Sequence, residues 1–327
     1  MELELRHFRL VCAVAQAGSI TRAAAVLGLA QPAVTTQLRR IEQSVGGPLF
    51  ERDRRGTTPT ALGELVLARA KVLLSTASGL RDDIARLAAD SASVPTRLRL
   101  GGATGRVLGG LVHQLAAGYP DLQVSTQVSW SIEELAGMAA GGRLDFTIAG
   151  MCGDQRPPGR SGITWQELSV EPVWVLLSAR HPLSARHEVD LTELSCEHWA
   201  GPPGDGCLAD CLVAACSRAG FTPLSIKETD VVSCIELVEK GDVVGVAQPL
   251  VRSIPGVVPV ALTGSPLRWR TLIGWHAGGP AAAFADQVVE LARVAYRDIV
   301  ARQPRYTRFL AEHPEFGEVF PNGRATG

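Results

Sequence analysis

Apolar positions recur at helical spacing through the first ninety or so residues, then give way to short strand-like runs alternating with helices. Residues 3–17 read as an amphipathic helix with Leu3, Phe8, Val11, Cys12 and Ala15 broadly on one side, ended by Gly18. A short second helix, TRAAAVLGL, follows, capped by Ser19 or Thr21 and stopped at Gly28. Pro32 suits the first turn of a third helix, which runs through Val34, Leu38 and Ile41 to the Gly46-Gly47 break. Only about four residues connect the second helix to the third.

The next stretch, GGPLFERDRRGTTPTALG, alternates poorly and carries Arg-Arg-Gly-Thr, the make-up of a tight two-stranded wing. From Thr60 a heptad stripe appears: Val66, Leu73, Leu80 and Leu87 lie seven apart, with Ala70, Ala77 and Ile84 between them. At about 1.5 Å per residue a helix over 60–89 would extend roughly 45 Å. Such a rod cannot bury its own stripe, so a second chain is expected; a helix lying on its own domain is the alternative.

ADSASVP, residues 89–95, is small and proline-terminated, and reads as a hinge. Beyond it TRLRLGG, RVLGGLVHQLAAGYP, LQVSTQVSW, SIEELAGMAAGG and LDFTIAG spell a βαβαβ unit. A second set follows, with the strand EPVWVLLSA, a helix around 208–219, SIKETD, a helix over 233–239 and the strand VVGVAQ. RTLIGWHA and a helix over 281–302 complete it, and two small α/β lobes sharing crossover strands account for the pattern. Residues 304–327 have no strong periodicity and receive no functional assignment.

Composition fits this division. A chain of 327 residues can hold two or three cores, and 46% hydrophobic with 20% charged residues is a globular balance. No stretch approaches the roughly 18–20 uninterrupted apolar residues of a membrane span. The start MELELRHFRL has acidic residues where a signal peptide needs a basic one, so a cytoplasmic location is expected. Seven scattered cysteines do not resemble a secreted disulfide framework. The net charge of −1 hides an asymmetry: residues 1–60 hold eight arginines against five acidic residues, +3, leaving −4 for the rest. A basic N-terminal end on a near-neutral chain suggests local contact with a polyanion.

Residues 20–41 supply what a helix-turn-helix needs: small Ala24 where helices cross, Gly28 able to take positive φ at the turn, and Val34 to lock the following helix. With an arginine-bearing wing and a heptad rod behind it, the chain resembles the LysR-type transcriptional regulators over nearly its whole length. The run from LRHFRLVCAVAQAGS to LFERDRRGTTPTALGE looks like that family's winged helix-turn-helix. EPVWVLLSARHPL, SRAGFTP and KGDVVGVAQP are similar to landmarks of its effector domain. The resemblance implies an α/β protein: an N-terminal winged helix-turn-helix over 1–59, a long linker dimerisation helix over 60–89 and a hinge at 90–96. A two-lobed, periplasmic-binding-protein-like effector domain over 97–303 would follow. Lobe I would take about 97–167 and 268–303, lobe II about 168–267, and 304–327 would be a tail. It also implies a homodimer or homotetramer through antiparallel linker helices, promoter DNA and an unidentified small-molecule effector as partners, and no cofactor, metal or membrane; RNA polymerase is a further partner it allows.

In that frame the third helix would enter the major groove by its N-terminal end. Gln31 could then pair with adenine, Thr35 or Pro32 touch a thymine methyl, and Arg39 reach a phosphate or guanine edge. Thr36 stands where the family often has arginine, so a detailed base preference does not carry over. Arg52, Arg54 and Arg55 on the wing would meet phosphates or a narrow minor groove. Ser19 and Thr21 at a helix start would hold a phosphate, cap the helix, or both.

Ligands of two-lobed α/β domains bind beyond the carboxyl ends of strands, here the segments 102–106, 129–132, 150–152, 201–207 and 229–233. Candidates are Thr104, which matches the family's hydroxyl at the first helix start, with Gly105, Trp130, Ser131, Gly204, Asp205, Thr229 and Asp230. Thr104 and the Gly204-Asp205-Gly206 turn suit an anion, Asp205 and Asp230 would oppose one, Trp130 would supply an aromatic wall, and for each a cap or packed side chain is the alternative. Cys207 and Cys216 resemble the cysteine pair of the family's peroxide-sensing branch. On one helix they would lie roughly 13 Å apart, beyond the roughly 7 Å Cα limit for a disulfide, so bridging would require melting. The flanking His and Arg of that branch are missing, with Gly206 and Ala209 in their places. An enzyme is disfavoured because no Gly-x-Ser-x-Gly elbow, phosphate loop or zinc-spaced His/Cys set is present. A solute-binding protein would fit 97–303 but would carry a signal peptide and no helix-turn-helix.

Overall fold

A computed structural model of the chain describes residues 3–53, 56–88, 95–103, 105–160, 162–203, 208–252 and 254–319. The chain divides into two compact units, Met1–Ala88 and Ala89–Gly327.

The first unit runs α1 (Leu5–Ala17), α2 (Ile20–Leu27), α3 (Gln31–Val45), β1 (Phe50–Asp53), β2 (Gly56–Pro59) and α4 (Ala61–Ala88). Gly28 adopts φ +65° at the end of α2, where a side chain would be strained, and Pro32 sits in the first turn of α3. Leu10, Val11 and Val14 of α1 pack with Ile20, Ala23 and Ala24 of α2 and Val34, Leu38 and Ile41 of α3. The buried side of α1 is His7, Leu10, Val11 and Val14, roughly a quarter turn from the expected face. The reason is that α1 is packed by α2, α3 and α4 together, so Cys12 and Ala15 become partly buried flanks. β1 and β2 form the expected antiparallel wing, from Phe50 opposite Pro59 to Asp53 opposite Gly56.

On α4 the heptad stripe divides. Ala70 and Leu67 are buried and Val66 is half-buried in the unit's own core, whereas Leu73, Leu80 and Ile84 are exposed, with Leu65 and Val72 beside them.

The second unit contains two six-stranded mixed sheets. In chain order its elements are β3 (Arg97–Gly102), α5 (Arg106–Gly118), β4 (Gln123–Val128), α6 (Ile132–Ala140), β5 (Phe146–Cys152), β6 (Ile163–Pro172) and β7 (Trp174–Ser178). Then come β8 (Glu188–Val189), β9 (Trp199–Gly201), α7 (Leu208–Arg218), β10 (Ile226–Glu228), α8 (Val231–Lys240), β11 (Val244–Ala247) and β12 (Val257–Leu262). β13 (Arg268–His276), α9 (Ala285–Ala301), α10 (Pro304–Glu312) and β14 (Gly317–Glu318) finish the chain. Lobe I is the sheet β14-β6-β13-β5-β3-β4 and lobe II the sheet β10-β9-β11-β7-β12-β8. The chain crosses between them twice, from β6 to β7 at Val173 and from β12 to β13.

Three features differ from the expected pattern. β6 is a full strand of lobe I through Pro172, so the crossover falls five residues after the expected lobe limit at 167; its Glu167 and Glu171 hide the apolar run. β9 and β12 are also strands, short or interrupted by Pro259. Residues from Pro304 onward are no loose tail up to Val319: Tyr306, Phe309 and Phe316 are buried in lobe I's core, and β14 pairs with β6. Tyr306, Phe309 and Leu310 of α10 share one face, a stripe too short to stand out in the sequence, and Phe316 adds to it beyond the helix. Among the described residues no helix is long and apolar enough to cross a membrane.

Candidate nucleic-acid interface and ligand cavity

The face that α3 leaves open follows from what it buries. Val34, Leu38 and Ile41 occupy one stripe, and at about 100° per residue Pro32, Thr36 and Arg39 fall on the far side, with Gln31 and Thr35 flanking it. Gln31, Pro32, Thr36 and Arg39 are exposed and Thr35 half-buried. Gln31 Nε2 donates to Thr35 Oγ1 at 3.2 Å, and Thr35 and Thr36 hydroxyls donate back to the carbonyls of Gln31 (3.1 Å) and Pro32 (2.9 Å). These bonds order the first turn before any ligand arrives. Ser19 Oγ accepts from Arg22 N at 3.5 Å, a cap for α2, and Thr21 is exposed in the same turn. The wing is fixed to this base by Thr57 N donating to Gly18 O at 3.1 Å and Leu49 N donating to Glu42 Oε1 at 2.9 Å. Arg52 lies on β1, though its side chain, like Arg54 and Arg55 entirely, is outside the described residues.

In the second unit a cavity of about 600 Å³ opens between the lobes, within the roughly 300–1,000 Å³ range of small-molecule sites. It is lined where strands end: Gly105 and Arg106 after β3, Trp130 after β4, Thr229 after β10 and Gln248 after β11. Gly105, Trp130 and Thr229 are thus brought together as expected. Thr104, Gly204, Asp205 and Cys207 lie outside the described residues. Ser131 and Asp230 act as caps and do not line it: Ser131 Oγ accepts from Glu134 N at 3.0 Å, and Asp230 Oδ1 accepts from Val232 N and Ser233 N at 2.9 and 3.1 Å. The bonds from Ser233 and Val232 hold the Asp230 carboxyl below its ordinary range.

Most of the wall is apolar, with Ile132, Leu176, Val231, Ile235, Val246 and Trp269 prominent. Gly150 is required there, since a Cβ would come within 2.0 Å of the Trp269 ring. The polar lining includes Arg106, Arg252, Gln248 and Glu228, which the sequence reading did not single out. Arg106 lay in a flagged segment. Gln248 and Arg252 follow β11, and the same carboxyl-end rule applied to VVGVAQ would have found them. Burial first, then the Arg252 and Arg302 cations, lower the pKa of Arg106, whose Nη1 donates to Leu250 O at 2.6 Å.

Behind the cavity, at the first crossover, Glu171 is fully buried. Ser169 Oγ donates to it at 2.5 Å, Thr271 Oγ1 at 3.3 Å and Gln248 Nε2 at 3.4 Å. Burial pushes its carboxyl up to about 7 against these hydrogen bonds. It therefore joins lobe I, through Ser169 and Thr271, to the lobe II loop carrying Gln248.

Cys216 is buried on α7 beside Leu212 and Ala215, and burial pushes its thiol up to about 11, the opposite of a reactive thiolate. His181 Nε2 lies 3.2 Å from Glu197 and His198 Nδ1 2.8 Å from Ser225 Oγ, partners not identifiable in the sequence. Among the described residues no group of three or more His, Cys, Asp or Glu could hold a metal.

Comparison with known proteins bears on both sites. Residues 5–64 match the family described as bacterial regulatory helix-turn-helix protein, lysR family, and residues 92–296 match the LysR substrate binding domain. The chain is 35% identical over 316 residues to the small neutral protease regulatory protein of Streptomyces coelicolor, covering 95% of this chain and 92% of that one. A protein of the same description from Streptomyces lividans is 36% identical over 309 residues, 91% and 87% of the two chains. Full-length CbnR, solved in complex with its target DNA, aligns with a TM-score of 0.66 at 20% identity over 90% of this chain and 100% of that chain, a likeness of fold.

Proposed function

Because the chain belongs to the LysR family, and is a DNA-binding transcriptional regulator with an effector-binding domain, we propose that it reads promoter DNA through the open face of α3 and reports a small molecule held between its lobes. The observation that carries the DNA assignment is the pre-ordered, outward turn of Gln31, Pro32, Thr35 and Thr36 with Arg39 one turn on. Gln31 offers the bidentate donor and acceptor that adenine presents in the major groove. Ser19, Thr21, Arg52, Arg54 and Arg55 take phosphate or minor-groove contacts on either side. We assign residues 1–59 to the DNA-binding domain, 60–89 to the linker and 97–303 to the regulatory domain, extended by the packed segment to 319; of the expected hinge at 90–96, residues 90–94 lie outside the described residues.

The exposed Leu73, Leu80 and Ile84 support self-association through α4 as a homodimer or homotetramer. The effector, bound at Gly105, Trp130 and Thr229, alters lobe geometry and through it the hold on DNA; Thr104, Gly204 and Asp205, also assigned to it from the sequence, lie outside the described residues. Ser131 and Asp230 contribute by fixing the helix starts beside it. We assign the protein to the cytoplasm, with RNA polymerase as a further partner and no catalytic role. The test is binding of a labelled promoter duplex at rising salt. The reading expects affinity to fall steeply with salt and to be weakened, about tenfold or more, in Gln31→Ala and Arg55→Ala; turnover of a substrate without DNA affinity would overturn it.

A further inference from the structure

The inter-lobe cavity combines two chemistries. Its walls are aromatic and aliphatic, with Trp130, Leu176, Ile235 and Trp269 spread over both lobes. Its polar side is cationic, with Arg106 at the first residue of α5 in lobe I and Arg252 on the loop that follows β11 in lobe II. Arg302, at the end of α9, is near enough to add its repulsion to theirs. Among the described residues none of these three guanidinium groups has a carboxylate partner.

The loop itself is already tied across the lobes. Arg106 Nη1 donates to Leu250 O, and Gln303 Nε2 donates to Val251 O at 2.7 Å. That arrangement places Arg252, which is itself exposed, on a segment held by lobe I side chains and near enough to Arg106 for their like charges to repel. Arg106 is the partly buried member of the set, and an anion bound between it and Arg252 turns their repulsion into two charge-assisted contacts. Glu228, the acid in the lining, is exposed at the end of β10; it would disfavour a second anionic group on the ligand.

We propose that this cavity takes a hydrophobic effector with a single anionic head, a monocarboxylate whose head lies between Arg106 and Arg252 and whose apolar body lies against Trp130 and Trp269. The assignment rests on the cavity being the effector site. Bridging Arg106 to Arg252 would add a charge-assisted link to the hydrogen bonds that already tie Leu250 and Val251 to lobe I, coupling occupancy to the hold between the lobes.

The experiment titrates the full-length protein with n-decanoate, 1-decanol and succinate, below micelle formation, following tryptophan fluorescence and thermal melting. Decanoate is expected to change the fluorescence saturably and raise the melting temperature, with decanol much weaker and succinate inert. Arg252→Ala is expected to weaken decanoate about tenfold or more and leave decanol unchanged. Arg106→Lys is expected to weaken it less, and Ile235→Trp, which fills the cavity, to abolish it. Decanol binding as tightly as decanoate, or decanoate indifferent to Arg252→Ala while blocked by Ile235→Trp, would overturn the anionic assignment and leave the effector cavity standing. Decanoate binding untouched by Ile235→Trp would overturn the cavity as its site as well.

Discussion

Gln31 is held by a hydrogen bond to Thr35 in the free protein, so in the proposed reading its amide would meet a base edge with little conformational entropy left to lose. Arg39 is an exposed cation on the same open face, and the proposed reading gives it a phosphate contact. Arg39→Ala should weaken binding about equally on all sequences and lower the slope of log affinity against log salt by about one, measured by fluorescence anisotropy across a salt series. Glu171 makes a prediction of another type. Its folded pKa is raised from 4.5 to about 7, so its proton contributes stability in full below about pH 4.5, and that contribution is lost as pH rises through about 7. Glu171→Gln keeps a neutral hydrogen-bonding group at the same place. Its melting temperature should fall less than wild type between about pH 5 and about pH 8; parallel curves would contradict the assignment.

At the scale of elements, α4 is the clearest case of a helix with two clients. Leu67 and Ala70 complete the core of its own unit, and Leu73, Leu80 and Ile84 are left to solvent. Leu80→Glu combined with Ile84→Glu should reduce the mass in solution by at least half in light scattering, with the helical spectrum of the winged unit retained. β3 and β5 are joined by a different device, the Arg99 guanidinium paired to Asp145 at 2.7 Å with Asp145 also accepting from Arg99 N at 2.8 Å. Asp145→Ala removes the carboxylate from a largely buried pair, leaving Arg99 Nη1 its bond to Gly142 O, and should cost about 3 kcal/mol in denaturant melts. These elements differ in how plainly the sequence announces them. α2, α3 and the wing were legible because caps, Pro32 and Gly28 mark their ends, and the heptad stripe marked α4. β6 was hidden because its Glu171 faces inward as a buried carboxyl, and α10 because its stripe, Tyr306, Phe309 and Leu310, spans barely one turn.

For the whole molecule, the charge split of +3 in residues 1–60 and −4 elsewhere assigns polyanion binding to one unit and frees the other for a small ligand. The cavity was legible as a set of strand ends, which is why Gly105, Trp130 and Thr229 line it as the sequence suggests. Its arginines were not, because Arg106 and Arg252 are 146 residues apart and meet only through the loop after β11. The Asp230 carboxyl went the other way, a strand-end acid whose hydrogen bonds are spent on capping α8. The central claim is that α3 reads bases through Gln31, and selection of duplexes from a random library tests it directly. Wild type and Gln31→Ala should enrich sites of the same length and spacing, with the preference for an A·T pair lost at one position of each half-site in the variant. An unchanged consensus would contradict the account.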